Sequence, residues 1–406
     1  MAMVENQPEI DFANIDFGLD DLPNLHEIVA AMQAKEPATW VKFVGEPALH
    51  LNSYEIVKAG FREEEAVPGH VYYLETQAPV MGKTVQSLTG DEHRIARGLQ
   101  MPFFRQRLMP DYFAPVFEPV ANELIDEFVE RGSADLVSEF TKQYPMRVIM
   151  KVLDLDPTNG VNWAQLAWDM IQGAYDPELS IRAIAEFDRN VKPLLDERLA
   201  NPGSDLISAL LTVEVDGDRL SYQDVLSFVR LMFPAGSDTT LLGMGNTLLA
   251  LMTHPDAMAA VRADPSGEAR WIIEEALRHQ PSVAYLPRRT LRATPDWHGL
   301  SLPEGTVVLL GIMAANRDPS VYPNPEVFDF RRRPQGALTF GLAAHHCLGI
   351  HFARAEMEAA LIKVLERLQD LRLDPAFPVP HQSGALLRGP AELRVLFTPG
   401  PRVGGR

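Results

Sequence analysis

The chain has 406 residues, 46% of them hydrophobic, enough for a large core and, from length alone, for two or more domains. A formal net charge of −18 argues against non-specific nucleic-acid binding, because phosphates are held by basic surfaces. The single cysteine, Cys347, excludes an internal disulfide and any zinc cage built from several thiolates.

The first 21 residues are acidic and lack the basic and apolar stretches of a secretion signal, which predicts a cytoplasmic protein. Thr39–Val44 and Ala48–Leu51 flank the turn residues Gly45–Pro47 and read as a hairpin. Helical patterns then dominate from about Asp91 to Gln280, among them Pro119–Val129, Ile181–Leu199 and Ser221–Thr253. At 1.5 Å per residue the last of these spans roughly 50 Å. Pro255 stops it.

A helix so long and apolar must be wrapped on most sides, which makes it a central scaffold. Asp238 interrupts its apolar run, and the uncharged stretch Thr239–Thr253 falls short of the ~18–20 residues that span a bilayer. A buried core helix is therefore expected, without membrane insertion. Tyr285–Thr290, Thr306–Leu310 and Leu393–Phe397 are short strand candidates, and Pro319–Gly336 reads as an ordered irregular loop. The expected fold is mainly α with a minor β portion. With no Gly/Ser linker to divide it, the chain is expected to form an acidic segment 1–22 followed by one large domain, 23–406.

Four constellations carry chemistry. In FGLAAHHCLG, Phe340–Gly349, a glycine-flanked loop presents Cys347 just before a helical pattern. Free backbone N–H groups and the positive helix end there stabilise a thiolate, suited to a metal ligand or a nucleophile. On a predicted helix Glu275 and Arg278 share one face at i, i+3, which alone is an ordinary ion pair. PAGSDTT, Pro234–Thr240, sets an acid and alcohols in the apolar helix where Pro234 and Gly236 loosen the hydrogen-bond ladder. His93 and Arg97 form an i, i+4 basic pair.

Together these pieces resemble the cytochrome P450 family. The cysteine loop is similar to F-G-x-G-x-H/R-x-C-x-G, Glu275–Arg278 to E-x-x-R, and Ala235–Thr239 to A/G-G-x-D/E-T. AANRDP at Ala314–Pro319 and PEVFDFRRRP at Pro325–Pro334 resemble the segments preceding the loop. The likeness runs from about Pro23 to Phe397. It departs at Ala343, where the family usually has glycine; if that position needs φ > 0, alanine costs about 1 kcal/mol.

The resemblance implies a P450-type domain with the long central helix over haem b, and Cys347 as the axial ligand of its iron. It implies that His93, Arg97, Arg289 and His345 hold the haem propionates, Arg288 being the candidate one residue away from Arg289. Glu275, Arg278 and Arg332 would form a buried triad. Asp238 and Thr239 would be the catalytic acid–alcohol pair that handles protons for dioxygen. The implied activity is monooxygenation, by hydroxylation or epoxidation, of an apolar or aromatic small molecule. Electrons would come from a ferredoxin-type donor and its reductase, docked at basic residues such as Arg94, Arg105, Arg107 and Arg354. Pocket residues would come from Val67–Leu88, Trp163–Tyr175, Leu231–Ala235, Ser282–Leu286 and Ser383–Leu387. A peroxide-using or isomerising haem-thiolate enzyme and a non-catalytic haem sensor are the alternatives, and neither needs the acid–alcohol pair.

Overall fold

The computed structural model describes residues 10–157 and 159–404. Its centre is the helix Tyr222–Thr253, begun by a reciprocal cap in which the Ser221 hydroxyl accepts from the Asp224 N–H while Asp224 accepts from the Ser221 N–H. Of its residues, Val225, Phe228, Val229, Phe233, Met244, Leu248 and Leu251 are all buried. The helices Tyr144–Leu153, Pro177–Ala200, Pro265–His279 and Ile350–Arg367 surround it. Pro234 lacks the N–H that would bond the carbonyl of Arg230, yet the helix runs on without a break. Hydroxyls tighten the turn instead: Ser237 donates to the Phe233 carbonyl at 2.9 Å, and Thr239 to that of Ala235 at 2.9 Å. At Gly236 a Cβ would stand 2.5 Å from Ile149 Cδ1, so a larger residue would require the end of the Ile149 side chain to shift.

The β portion lies to one side. The expected hairpin is present as Ala38–Phe43 and Glu46–Leu51, antiparallel, with Leu51 paired to Ala38. Glu46–Leu51 pairs in parallel with Val307–Leu310, which pairs antiparallel with Leu286–Arg289, completing a four-stranded sheet. Arg394–Thr398 sits between Gln369–Leu373 and Ser133–Asp135 in a second sheet. Within the acidic N-terminal segment, Phe12, Phe17 and Leu22 are buried beside the first sheet; residues 1–9 lie outside the described residues. Among the described residues no helix is long and apolar enough to cross a membrane.

Arg278 and Glu275 are both fully buried, joined by two contacts of 2.8 Å, with Arg332 Nε 3.5 Å from the same carboxylate. The remaining donors of Arg278 reach the carbonyls of Asn316, Pro325 and Val327. The loop read as irregular from its prolines is thus tied to a helix by one guanidinium. Replacing Glu275 with Gln leaves a buried cation without its counter-charge, and removing one partner of such a pair typically costs about 3–5 kcal/mol. Chemical denaturation of Glu275→Gln should show a loss of this size; a loss under about 1 kcal/mol would refute the structural role given to the pair.

Candidate active site

The cysteine loop has the shape its composition demands. Leu338–Phe340 makes a short 3-10 turn, Gly341 follows at φ 68°, and Ala343 is itself left-handed at φ 59°. The departure from glycine therefore falls on a residue that does need φ > 0, and the loop is strained there. The Cys347 N–H donates to the Phe340 carbonyl at 2.9 Å, and Gly349 caps the helix Ile350–Arg367. Burial pushes the Cys347 thiol up, while the Gly349 N–H and the guanidiniums of Arg97 and Arg354 pull the other way.

Cys347 forms part of the wall of a cavity of about 310 Å³. The central helix faces it with Leu231, Met232, Ala235, Gly236, Thr239 and Thr240. Phe228 of the same helix and Val85, Val283, Leu286 and Ile312 from other segments make the wall strongly apolar. Pocket residues thus come from the segments expected around Val67–Leu88, Leu231–Ala235 and Ser282–Leu286. Trp163–Tyr175 and Ser383–Leu387 do not reach the lining.

At one end the wall turns cationic and imidazole-rich. Arg97 lines it and donates to the carbonyl of His346. His345 lines it too, with its Nε2 3.2 Å from Glu64 and its ring centroid 4.5 Å from that of His93. Burial, then His345 and Arg97, lower His93 to about 4, so the ring is neutral at pH 7, and its buried Nε2 has no partner among the described residues.

Arg289 is not among the residues that line the cavity, and it pairs with Glu46 at 3.1 Å and Glu75 at 2.9 Å. Side chains alternate along a strand, so Leu286, which lines the cavity, shares its face with Arg288 rather than Arg289. Arg288 is buried, and its charge acts on Glu64, the carboxylate that holds His345. Strand alternation across LPRR was the available sequence signal.

The acid–alcohol pair is divided by the helix. Thr239 lines the cavity, whereas Asp238 lies behind it, buried, with Oδ2 unpartnered among the described residues. Burial pushes Asp238 up to about 7, against the opposing pull of Ser237 and Lys142. A second pair was not visible in the sequence. Thr240 donates to Glu356 Oε1 at 3.0 Å, and both residues line the cavity. Burial drives Glu356 well above its ordinary value, with only the Thr240 hydroxyl opposing it. Neither glutamate of ARAEMEAAL carries a sign of a partner 116 positions away.

A sequence model of the family described as cytochrome P450 matches residues 178–266 and 269–397. Cytochrome P450 CYP107DY1 of Priestia megaterium is 32% identical over 309 residues, covering 75% of each chain. Vitamin D(3) 25-hydroxylase of Pseudonocardia autotrophica is 29% identical over 387 residues, 93% of this chain and 94% of that one. The structure of cytochrome P450 CYP109Q5 from Chondromyces apiculatus superposes with a TM-score of 0.85 at 27% identity, covering 96% of this chain and 99% of that one. The chain belongs to the cytochrome P450 family. It is an oxidoreductase of the monooxygenase type, and the cofactor of the family is haem b. The donor set suits that group: a sulfur ligand in the wall, cations and an unpartnered buried imidazole nitrogen for two carboxylates, and apolar sides for a flat macrocycle.

Two outcomes follow from this geometry. Ala343→Gly removes the left-handed strain and should raise stability by about 0.4–1 kcal/mol, offset in part by the greater freedom of glycine in the unfolded chain. An unchanged or lowered melting temperature would mean that the loop is not strained at this residue. The second concerns Asp238, which binds its proton more tightly folded than unfolded, so its contribution to stability is full below about 3.8 and is lost as pH rises to about 7. Asp238→Asn, which cannot ionise, should therefore gain on the wild type across that window. Denaturation at pH 5 and pH 8 tests this, and a difference that is flat or shrinks with pH would count against it.

Proposed function

We propose that this enzyme hydroxylates or epoxidises an apolar small organic molecule, using dioxygen and two electrons from a separate ferredoxin-type donor served by its reductase. The observation that carries the reading is the placement of the only thiol of the chain, across a largely apolar cavity from a helix hydroxyl. Among the relatives are proteins named vitamin D(3) 25-hydroxylase and cyclomarin C epoxidase, which supports both reaction outcomes on apolar substrates.

In this reading Cys347 would supply the thiolate ligand to the haem iron, and Arg97, Arg288, His345 and His93 would hold the propionates. Two arginine forks suit two carboxylates, and the unpartnered His93 nitrogen gains a partner. Bound haem supplies the dioxygen-activating redox chemistry. The protein orients and protects. Apolar walls hold the substrate and exclude water. The Thr239 hydroxyl, steadied by the Ala235 carbonyl, is available in the cavity as a hydrogen-bonding group. Asp238, able to gain and lose a proton near pH 7, passes protons toward Thr239 from behind the helix. Thr240 is engaged by Glu356, which leaves Thr239 as the working hydroxyl. Arg105 and Arg107 are exposed and, among the described residues, without an ion-pair partner, so they remain available to an acidic electron donor. Arg94 is paired with Asp91 at 3.1 Å and is less available.

The test combines two variants with a full account of reductant. Cys347→Ser should lose the thiolate-type red-shifted Soret band of the reduced carbon monoxide complex; retention of that band would refute the ligand assignment. Thr239→Ala should keep cofactor and substrate affinity while diverting most reducing equivalents into hydrogen peroxide. If Thr239→Ala stays coupled and Thr240→Ala leaks peroxide, the working hydroxyl is Thr240.

A further inference from the structure

Arg354 does not behave as a cation waiting for an electron donor. It lies seven residues after Cys347 on the helix Ile350–Arg367. Its Nε and Nη2 are both engaged by the buried Glu274, the second at 2.9 Å. The guanidinium also lies over the ring of Phe340, 4.9 Å from its centroid. Phe340 in turn lines the cavity, and its carbonyl accepts the Cys347 N–H at 2.9 Å. Arg354 itself is not among the lining residues, so it touches neither substrate nor the propionate end. It stands behind the cysteine loop, held there by Glu274 of the helix Pro265–His279.

We propose that Arg354 and Glu274 together trim the electron release of the Cys347 sulfur, and with it the reduction potential of the centre. The proposal rests on the reading of Cys347 as the haem ligand. Its physics is direct. A cation near a thiolate stabilises the lone pairs on sulfur and weakens their donation to the metal, which favours the reduced state. A carboxylate bound to that cation subtracts part of its field. The salt bridge is therefore a fixed dipole with its positive end toward the sulfur, and each half moves the potential in the opposite sense. A purely structural pair, linking the helices Pro265–His279 and Ile350–Arg367, would have no such sign.

The opposite signs define the experiment. Midpoint potentials of substrate-free holoenzyme are measured by spectroelectrochemistry for wild type, Arg354→Gln, Arg354→Lys and Glu274→Gln. The C–O stretching frequency of each reduced carbon monoxide complex is recorded alongside. Arg354→Gln should shift the reduction equilibrium several-fold toward the oxidised state and lower the C–O frequency, because a stronger thiolate donor feeds more density to the ligand. Glu274→Gln should shift both the other way, and Arg354→Lys, which keeps the charge, should stay nearer wild type than Arg354→Gln. Equal shifts of one sign for Arg354→Gln and Glu274→Gln, or no shift in either, overturn the proposal. Cys347→Ser separates the two levels: if it keeps the thiolate-type band, the ligand reading fails, and if it loses the band while the other variants share one sign, only the trimming fails.

Discussion

A guanidinium taken out of water must find a hydrogen-bond acceptor for each of its donors, and in this chain that requirement organises the path to the active-site loop. Arg278 is fully buried and spends its donors on Glu275 and on the carbonyls of Asn316, Pro325 and Val327. Asn316, placed by that bond, accepts the Leu338 N–H at 2.7 Å and donates to Thr339 at 3.0 Å. Thr339 donates back to the Leu277 carbonyl, one residue before Arg278, and begins the loop that carries Cys347. An irregular segment without a sheet or helix of its own is held in one conformation by a closed circuit of polar contacts. Replacing such a pair by apolar residues often costs little stability; what it supplies here is the position of the loop.

Around the cavity, charge is handled by burial rather than by pairing alone. Asp238 on the central helix and Glu356 on the helix Ile350–Arg367 are both shifted toward their protonated forms by lack of water. Only Thr240 and Glu356 of these groups line the cavity with Thr239. The site is thus flanked by two carboxyl groups whose protonated forms burial favours, while Arg97 and His345 line another part of the wall. A low-dielectric cavity keeps these roles separate, since each charge would otherwise be screened and exchanged with solvent.

The roof is tied by another buried arginine. Arg230, one residue before Leu231 of the cavity wall, forms a bidentate pair with Asp188 of the helix Pro177–Ala200 and donates to the Met81 carbonyl at 3.0 Å. Three segments that differ widely in sequence position meet at one side chain, and Val85 and Gln86 enter the cavity just after the third. The same device, a buried fork that collects carbonyls and one carboxylate, fixes both the floor loop and the roof.

What the sequence by itself determined was everything that depends on local pattern. The period of apolar residues marks the central helix, Ser221 its start and Pro255 its stop. The hairpin follows from Gly45–Pro47, and the loop around Cys347 from its glycines and its place before a helix. The resembled family usually has glycine at Ala343, but that the residue is left-handed, at φ 59°, is read from the folded loop. Tertiary structure alone decided which side chains face one another. The pleat of Leu286–Arg289 sets Arg288, not Arg289, on the face shared with Leu286, and Arg289 pairs with Glu46 and Glu75. Arg354 looked like a free surface cation until Glu274, 80 positions away, claimed it. Thr240 and Glu356 are joined across 116 positions, and neither residue carries a local sign of the other. Periodicity fixes the face of an element, but the partner of that face is set by packing, because contact between distant segments depends on where the whole chain can bury its apolar surface.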